Sequence, residues 1–231
     1  RQENREMDSP RHEANDNAAY LREQVKTLIK TIENTDYNKA RTAAMALMVL
    51  PRRYTAPPLL KLLRDSNPLV KQNAVWALGF CGDDSMAATI KSLLKDRNTE
   101  VRRETVLALK RLNASQSAPA LMEALKTETE QGVKYDIART LGTFGDRGAV
   151  FVLMNVLTKE KSWYVKSGCV EALGNIGGDM AMNALAKILV TDAGEDAGWA
   201  RTKAAWALTA IGPKSIPLLV RALNDKEEGT R

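Results

Sequence analysis

The residues able to make or break bonds are few in this chain, and they are scattered. One histidine, His12, stands beside Glu13 in a polar N-terminal stretch. An isolated imidazole has no second ligand and no orienting partner, so it builds neither a metal site nor a catalytic triad. The two cysteines, Cys81 and Cys169, lie in distant segments and match no metal-ligand spacing. No Gly-rich phosphate loop and no Gly-x-Ser-x-Gly elbow occurs. The expectation is a chain with no catalytic residues, no metal and no cofactor. The side chains left to act are aromatic, apolar and charged, suited to holding a partner.

Those side chains need elements to carry them. The chain has 231 residues, 44% of them hydrophobic but only 5% aromatic, enough to bury a core as one domain or one array. Apolar runs are short and broken by charge, so no membrane insertion is expected. The starting residue is Arg1, without a methionine and without a signal-peptide pattern. Cytoplasm and an exported compartment after processing both stay open, so localisation is unassigned.

The organisation is a repeat. Ala77-Leu78-Gly79, Thr140-Leu141-Gly142 and Ala172-Leu173-Gly174 are copies of one word, with Ala108-Leu109-Lys110 and Ala207-Leu208-Thr209 as variants. A basic residue precedes each word: Lys71, Arg102, Lys134, Lys166 and Arg201, spaced by 31, 32, 32 and 35 residues. About seven residues before each lies an apolar pair, such as Leu62-Leu63 or Leu93-Leu94, and Asp65, Asp96 and Asp225 follow such pairs. Each unit reads as a short helix, a turn, a longer helix, and a Gly-containing turn. Val70, Ala74, Ala77 and Leu78 form one helical stripe. The glycine after the stripe is expected to end the helix in a left-handed conformation. The Asp before the second helix is expected to accept backbone N–H groups at a turn or cap. A period of this length marks a solenoid, in which each unit buries its apolar face against its neighbours. At roughly 10 Å per helix layer, Cys81 and Cys169 are too far apart for a bridge.

The pattern of apolar pair, Asp, Val-Arg/Lys, Ala and Ala-Leu-Gly resembles the HEAT repeat, in the short variety of phycobilin-lyase-like proteins, over about residues 18–231. The fold it implies is all-α, a right-handed α-solenoid of about six stacked helix pairs plus a partial last repeat. The resemblance also implies a structural ladder of Asp65, Asp96, Lys71, Arg102, Lys134, Lys166 and Arg201. One enzyme family of such repeats, deoxyhypusine hydroxylase, carries repeated His-Glu pairs for a di-iron centre. Those pairs are absent from these repeats.

Two domains are expected: a polar arm over 1–17 and the solenoid over 18–231, opening with a degenerate helix pair at Ala18 to Ile32 and Asn38 to Leu50. The arm holds three arginines against five acids, 3 − 5 = −2, the composition of a tail or of a strap against a partner. Thr230-Arg231 aligns with Val70-Lys71, where another second helix should begin. The expectation is a solenoid cut short of its true C-terminus, or one whose open end is covered.

On the second helices, rows half a turn from the buried stripe are expected to line the concave face. They are Trp76, Leu107, Arg139, Glu171, Trp206; one turn earlier Asn73, Glu104, Asp136, Gly168, Lys203; one turn later Phe80, Arg111, Thr143, Asn175, Ala210. The candidate partner-binding residues are Leu69, Trp76, Phe80, Leu107, Arg111, Arg139 and Trp206. A second aromatic group is Trp163, Tyr164, Trp199 and Trp206. The net charge of +6 invites a nucleic-acid reading, but its cations are interspersed with acids. The expected function is a non-catalytic protein-interaction scaffold, a subunit or assembly factor of a larger complex. A bilin lyase or chromophore-handling subunit is the alternative, and a nucleic-acid-binding repeat the further one.

Overall fold

The computed structural model describes residues 10–33, 36–191 and 197–224, with side chains from residue 17 onward apart from residues 191 and 197. Arg1 to residue 9, the His12 side chain, Asp225 and Thr230-Arg231 lie outside what is described. Thirteen α-helices and no strand occur among the described residues. They fall into two compact units.

The first unit, residues 1–83, holds α1 (Pro10–Ile32), α2 (Tyr37–Met48), α3 (Arg52–Leu62) and α4 (Pro68–Cys81). These make two helix pairs, α1 with α2 and α3 with α4. The helix of the first pair starts at Pro10, eight residues before Ala18. Capping fixes where the second helices begin. Asp36 accepts the backbone N–H groups of Asn38 and Lys39, and Asn67 accepts that of Leu69 with Pro68 at the first helical position. Val70, Ala74, Ala77 and Leu78 are all buried, as their spacing predicts, and pack with Leu59 into the core. A buried leucine of this kind contributes about 2 kcal/mol.

The second unit, residues 84–231, continues the same design. Its first helices are the short α5 (Ala87–Ile90), extended by a 3-10 turn to Lys95, then α7 (Ala118–Thr127), α9 (Ala149–Lys159), α11 (Gly178–Thr191) and α13 (Ile216–Leu223). Its second helices are α6 (Thr99–Arg111), α8 (Gln131–Phe144), α10 (Trp163–Ile176) and α12 (Ala197–Ile211), packed in that order. Leu109, Leu121, Ile137, Leu141, Leu153 and Leu173 fill the layer between the two rows. The chain is therefore an all-α repeat fold of stacked helix pairs.

The glycine of the repeated word does not end its helix. Gly79, Gly142 and Gly174 lie inside α4, α8 and α10. A methyl group on Gly142 would sit 2.6 Å from Ala172 Cα, and one on Gly174 would sit 3.0 Å from Ala207 Cβ. These glycines let neighbouring second helices approach. Termination falls to a later glycine: Gly145 caps α8 with φ +67, whereas Gly82 closes α4 in an extended conformation.

Candidate functional site

The turns before α8 and α10 are each tied to the previous repeat by an acid and a base. In the second unit, Glu128 Oε1 accepts the backbone N–H groups of Thr129 and Glu130 at 2.9 and 3.0 Å. Its carboxylate also accepts from Arg102 Nε and Nη2 at 2.8 and 2.9 Å. Glu160 repeats the arrangement, accepting from Lys161 and Ser162 and taking Lys134 Nζ at 2.6 Å. Burial pushes the Glu128 carboxyl up, but Arg102 and the two turn N–H groups outweigh it and hold it below its ordinary value. Lys134 does the same for Glu160 against a smaller burial effect. Asp65 and Asp96 accept from Asn67 and Asn98 at 2.7 and 2.9 Å, closing their turns.

Arg102 in α6 and Lys134 in α8 thus reach the turn of the next repeat, while Asp65 and Asp96 close the turns before α4 and α6. Glu128 and Glu160 are turn acids that a search for aspartate misses, although 32 residues from Asp96 and again from Glu128 lands on each. Lys71, Lys166 and Arg201 are half-buried on α4, α10 and α12.

A second set of ion pairs runs along the surface of the second helices. Arg103 donates to Asp136 at 2.8 Å, Arg139 to Glu171 at 3.0 Å, and Arg111 to Glu104 at 2.7 Å. The arginines expected to await a partner, Arg111 and Arg139, therefore already hold acids of their own stack. Arg139 also lies over the Tyr135 ring at 5.5 Å.

The three variable rows differ in exposure. The row of Phe80, Arg111, Thr143, Asn175 and Ala210 is exposed throughout. The row expected one turn before Trp76 is largely closed instead: Asn73, Glu104 and Gly168 are buried. At Gly168 the cause is visible, because Tyr135 of the neighbouring helix lies within 2.8 Å of where a Cβ would stand.

Aromatic residues gather in both units. In the first, the Trp76 and Phe80 rings meet at 4.7 Å, and the Arg41 guanidinium lies 4.4 Å over Trp76 and 5.0 Å from Tyr37. Phe80 is 44% exposed while Trp76 and Leu69 are half-buried. Leu107 belongs to the second unit and is half-buried on α6.

The larger gathering spans α8, α10 and α12. Trp163 opens α10 and meets Trp199, near the start of α12, edge to face at 5.8 Å. Tyr164 stacks on Tyr135 at 4.2 Å. Trp206 stands two turns further along α12 and is 74% exposed; Trp163 is 54% exposed. Between them lies an open groove of about 380 Å³, with Gly174, Ala207 and Ala210 among its lining. Small residues at the close approach of α10 to α12 leave the space that the rings overhang. Glu171, Asn175 and Lys203 supply its polar groups.

Among the described residues no three His, Cys, Asp or Glu side chains converge to hold a metal ion. Both cysteines are buried, and burial pushes the Cys169 thiol up to about 12, away from the reactive thiolate. No helix among the described residues is long and apolar enough to cross a membrane.

Comparison with known proteins places these features. A 124-residue stretch is 31% identical to protein YibA of Escherichia coli (strain K12), covering 53% of this chain and 43% of YibA. A 197-residue stretch is 29% identical to deoxyhypusine hydroxylase of Arabidopsis thaliana, over 82% of this chain and 60% of that enzyme. The chain thus spans less than two thirds of the curated relatives it matches. Among solved structures, the complex of CpcE and CpcF of phycocyanin lyase from Nostoc sp. PCC7120 is similar in fold, with a TM-score of 0.56 and 20% identity over 87% of this chain and 81% of that one. Residues 25–110, 56–142 and 119–201 match HEAT repeats, residues 200–225 match the PBS lyase HEAT-like repeat, and the chain belongs to the HEAT-repeat family.

Proposed function

We propose that this protein is a non-catalytic interaction scaffold, a subunit or assembly factor that holds a partner protein across the second helices of residues 84–231. The observation that carries this reading is the groove over α8, α10 and α12. A tryptophan left 74% exposed beside two others, over a floor of small residues, has no packing role within its own unit. Such rings are the residues that dominate binding energy when a partner covers them. A stack of paired, ion-bridged helices also presents them rigidly, which lowers the ordering cost of binding an extended target. The polar row beside the groove, Arg103–Asp136 and Arg139–Glu171, suits a rim: paired charges fix register without leaving an uncompensated ion when water is excluded.

The test is affinity purification of the full chain from its native source, with wild type and a Trp163→Ala, Trp206→Ala double variant compared by mass spectrometry. The scaffold reading expects a stoichiometric partner held by the wild type and lost from the variant at unchanged helicity and melting temperature. Equal recovery by both proteins overturns the placement.

A chromophore-handling role is the second reading. What favours it is the match of residues 200–225 to the PBS lyase HEAT-like repeat, a segment that contains Lys203 and Trp206. Mixing the protein with a free bilin tests it by a shift in the visible absorption. An unchanged spectrum removes this reading. The similarity to deoxyhypusine hydroxylase lends no support to a di-iron activity here, because the sequence has a single histidine and the repeated His-Glu pairs are missing.

A further inference from the structure

The first helices of the second unit carry a groove of their own, and its charges are unevenly engaged. The first helix of the repeat after Asp83 is slight: α5 has four residues, and the chain runs on as a 3-10 turn over Lys91–Lys95. A 3-10 turn is narrower than an α-helix. Its packed neighbour α7 contributes small side chains, Ala120 and Ala124, at this contact. A groove of about 620 Å³ is left between them, with Leu94 in its lining, a volume in the range of ligand-binding clefts. Both acids that line it are already balanced. Glu128 accepts from Arg102 Nε and Nη2 and from the N–H groups of Thr129 and Glu130, which fills its carboxylate. Glu123 is paired with Lys126, one turn along α7. Lys91 and Lys95, by contrast, are exposed and hold no ion pair among the described residues. The groove thus keeps two positive charges with no acid of its own to meet them.

Charge and spacing together select the occupant. A lysine carries a compact charge on a long apolar stem, so it can lie along an apolar floor and still offer its ammonium to an acid. From Lys91 to Lys95 the backbone rises ~8 Å, four steps of ~2.0 Å. In an extended peptide, side chains two residues apart point the same way and stand ~6.7 Å from each other. A segment with acids at every second residue therefore brings one carboxylate to each ammonium, while its backbone covers Leu94, Ala120 and Ala124. A single small anion leaves that apolar floor uncovered. Single-stranded nucleic acid is held by bases stacked on rings, and no ring stands among the described lining residues. Going beyond the aromatic groove, and standing without it, we propose that the cleft between the Lys91–Lys95 turn and α7 binds an extended acidic segment of a partner protein, with Lys91 and Lys95 pairing with acids two residues apart.

The experiment uses the full chain and a fluorescein-labelled decapeptide of alternating glutamate and serine, followed by anisotropy in dilute buffer. The matching glutamine-serine peptide is the control. The expected result is saturable binding of the glutamate peptide alone, weakened about tenfold in a Lys91→Gln, Lys95→Gln double variant whose melting curve is unchanged. Lys159 and Lys161 are also exposed and hold no ion pair among the described residues. A Lys159→Gln, Lys161→Gln double variant removes the same charge elsewhere and is expected to bind as the wild type does, as is the Trp163→Ala, Trp206→Ala variant. No binding of the glutamate peptide overturns the proposal. An equal loss in the two lysine variants also overturns it, because net charge alone would then be the cause. If the tryptophan variant loses the peptide, the acidic segment belongs to the aromatic groove: this site falls and the scaffold reading stands. If decanoate or a single-stranded oligonucleotide binds through Lys91 and Lys95 while the glutamate peptide does not, the peptide occupant is overturned. A native partner held equally with and without the two tryptophans overturns the aromatic placement and leaves this site untouched.

Discussion

Glu128 divides its carboxylate between two tasks, and that division makes it the residue whose loss is most readable. One oxygen closes the turn that starts α8, while the pair with Arg102 joins that turn to the preceding repeat. The Glu128 side chain is 5% exposed and that of Arg102 15%, so the pair is shielded from salt. Its folded-state affinity for protons lies below the ordinary 4.5. Near and below that value the unfolded chain binds more protons than the folded one, so the stabilisation is present above about pH 4.5 and is lost as pH falls through the lower folded value. Glu128→Gln is expected to cost about 2 kcal/mol at pH 7. Urea titrations at pH 7 and pH 3 check this: the gap between wild type and variant should close at the lower pH. A gap of equal size at both would mean that the amide disturbs packing, and the charge pairing is not what Glu128 contributes. Asp65 and Asp96 are visible in the sequence because aspartate before a helix is a known turn former. Glu128 and Glu160 escape the same reading because their longer side chains reach the turn N–H groups from a residue type that favours helix interiors.

The helix period and buried stripes are legible in the sequence, since Val70, Ala74, Ala77 and Leu78 repeat at three and four and are all buried. The purpose of the glycine in the repeated word is not. Glycine near the end of a helical pattern looks the same whether it caps that helix or admits a neighbour, and only tertiary packing separates the two. Gly142 therefore yields a prediction at the level of the helix pair. Gly142→Ala places a methyl group 2.6 Å from the Ala172 backbone, where no flexible side chain can yield. Forcing α8 away from α10 is expected to cost about 2–3 kcal/mol. Gly145→Ala, at φ +67 with open space around its Cβ position, is expected to cost only about 1 kcal/mol. Thermal melts of the two variants check the order; a larger loss at Gly145 would show that helix termination, not close approach, is the tighter constraint. The groove was half legible for the same reason. The repeat register already groups Trp163, Trp199 and Trp206, but nothing along the chain says that they overhang an open groove floored by Gly174, Ala207 and Ala210.

Across the molecule, the question is whether a net charge of +6 is a binding surface or a by-product of how the repeats are joined. For the second helices the pairing favours the second answer, since five of their cations are already neutralised by acids of the stack. Arg102 and Lys134 are committed to Glu128 and Glu160, and Arg103, Arg111 and Arg139 to Asp136, Glu104 and Glu171. A phosphate backbone approaching the second helices meets those carboxylates along with the cations, and to win an arginine it must displace an acid already in place. Nucleic-acid affinity scales with the number of phosphates neutralised, each contributing about −0.9 to the slope of log affinity against log salt on a duplex. None of these five cations takes a phosphate without breaking a pair. The slope for a 20-base-pair duplex, measured by fluorescence anisotropy from 50 to 200 mM salt, is therefore expected to be no steeper than about −3. A slope near −6 or beyond would mean that the ion pairs open to admit phosphates, and the charged rows would then be the functional surface in place of the aromatic groove. A shallow slope leaves the charges as the joints of the stack and the exposed tryptophans as the part of the surface with no other employment.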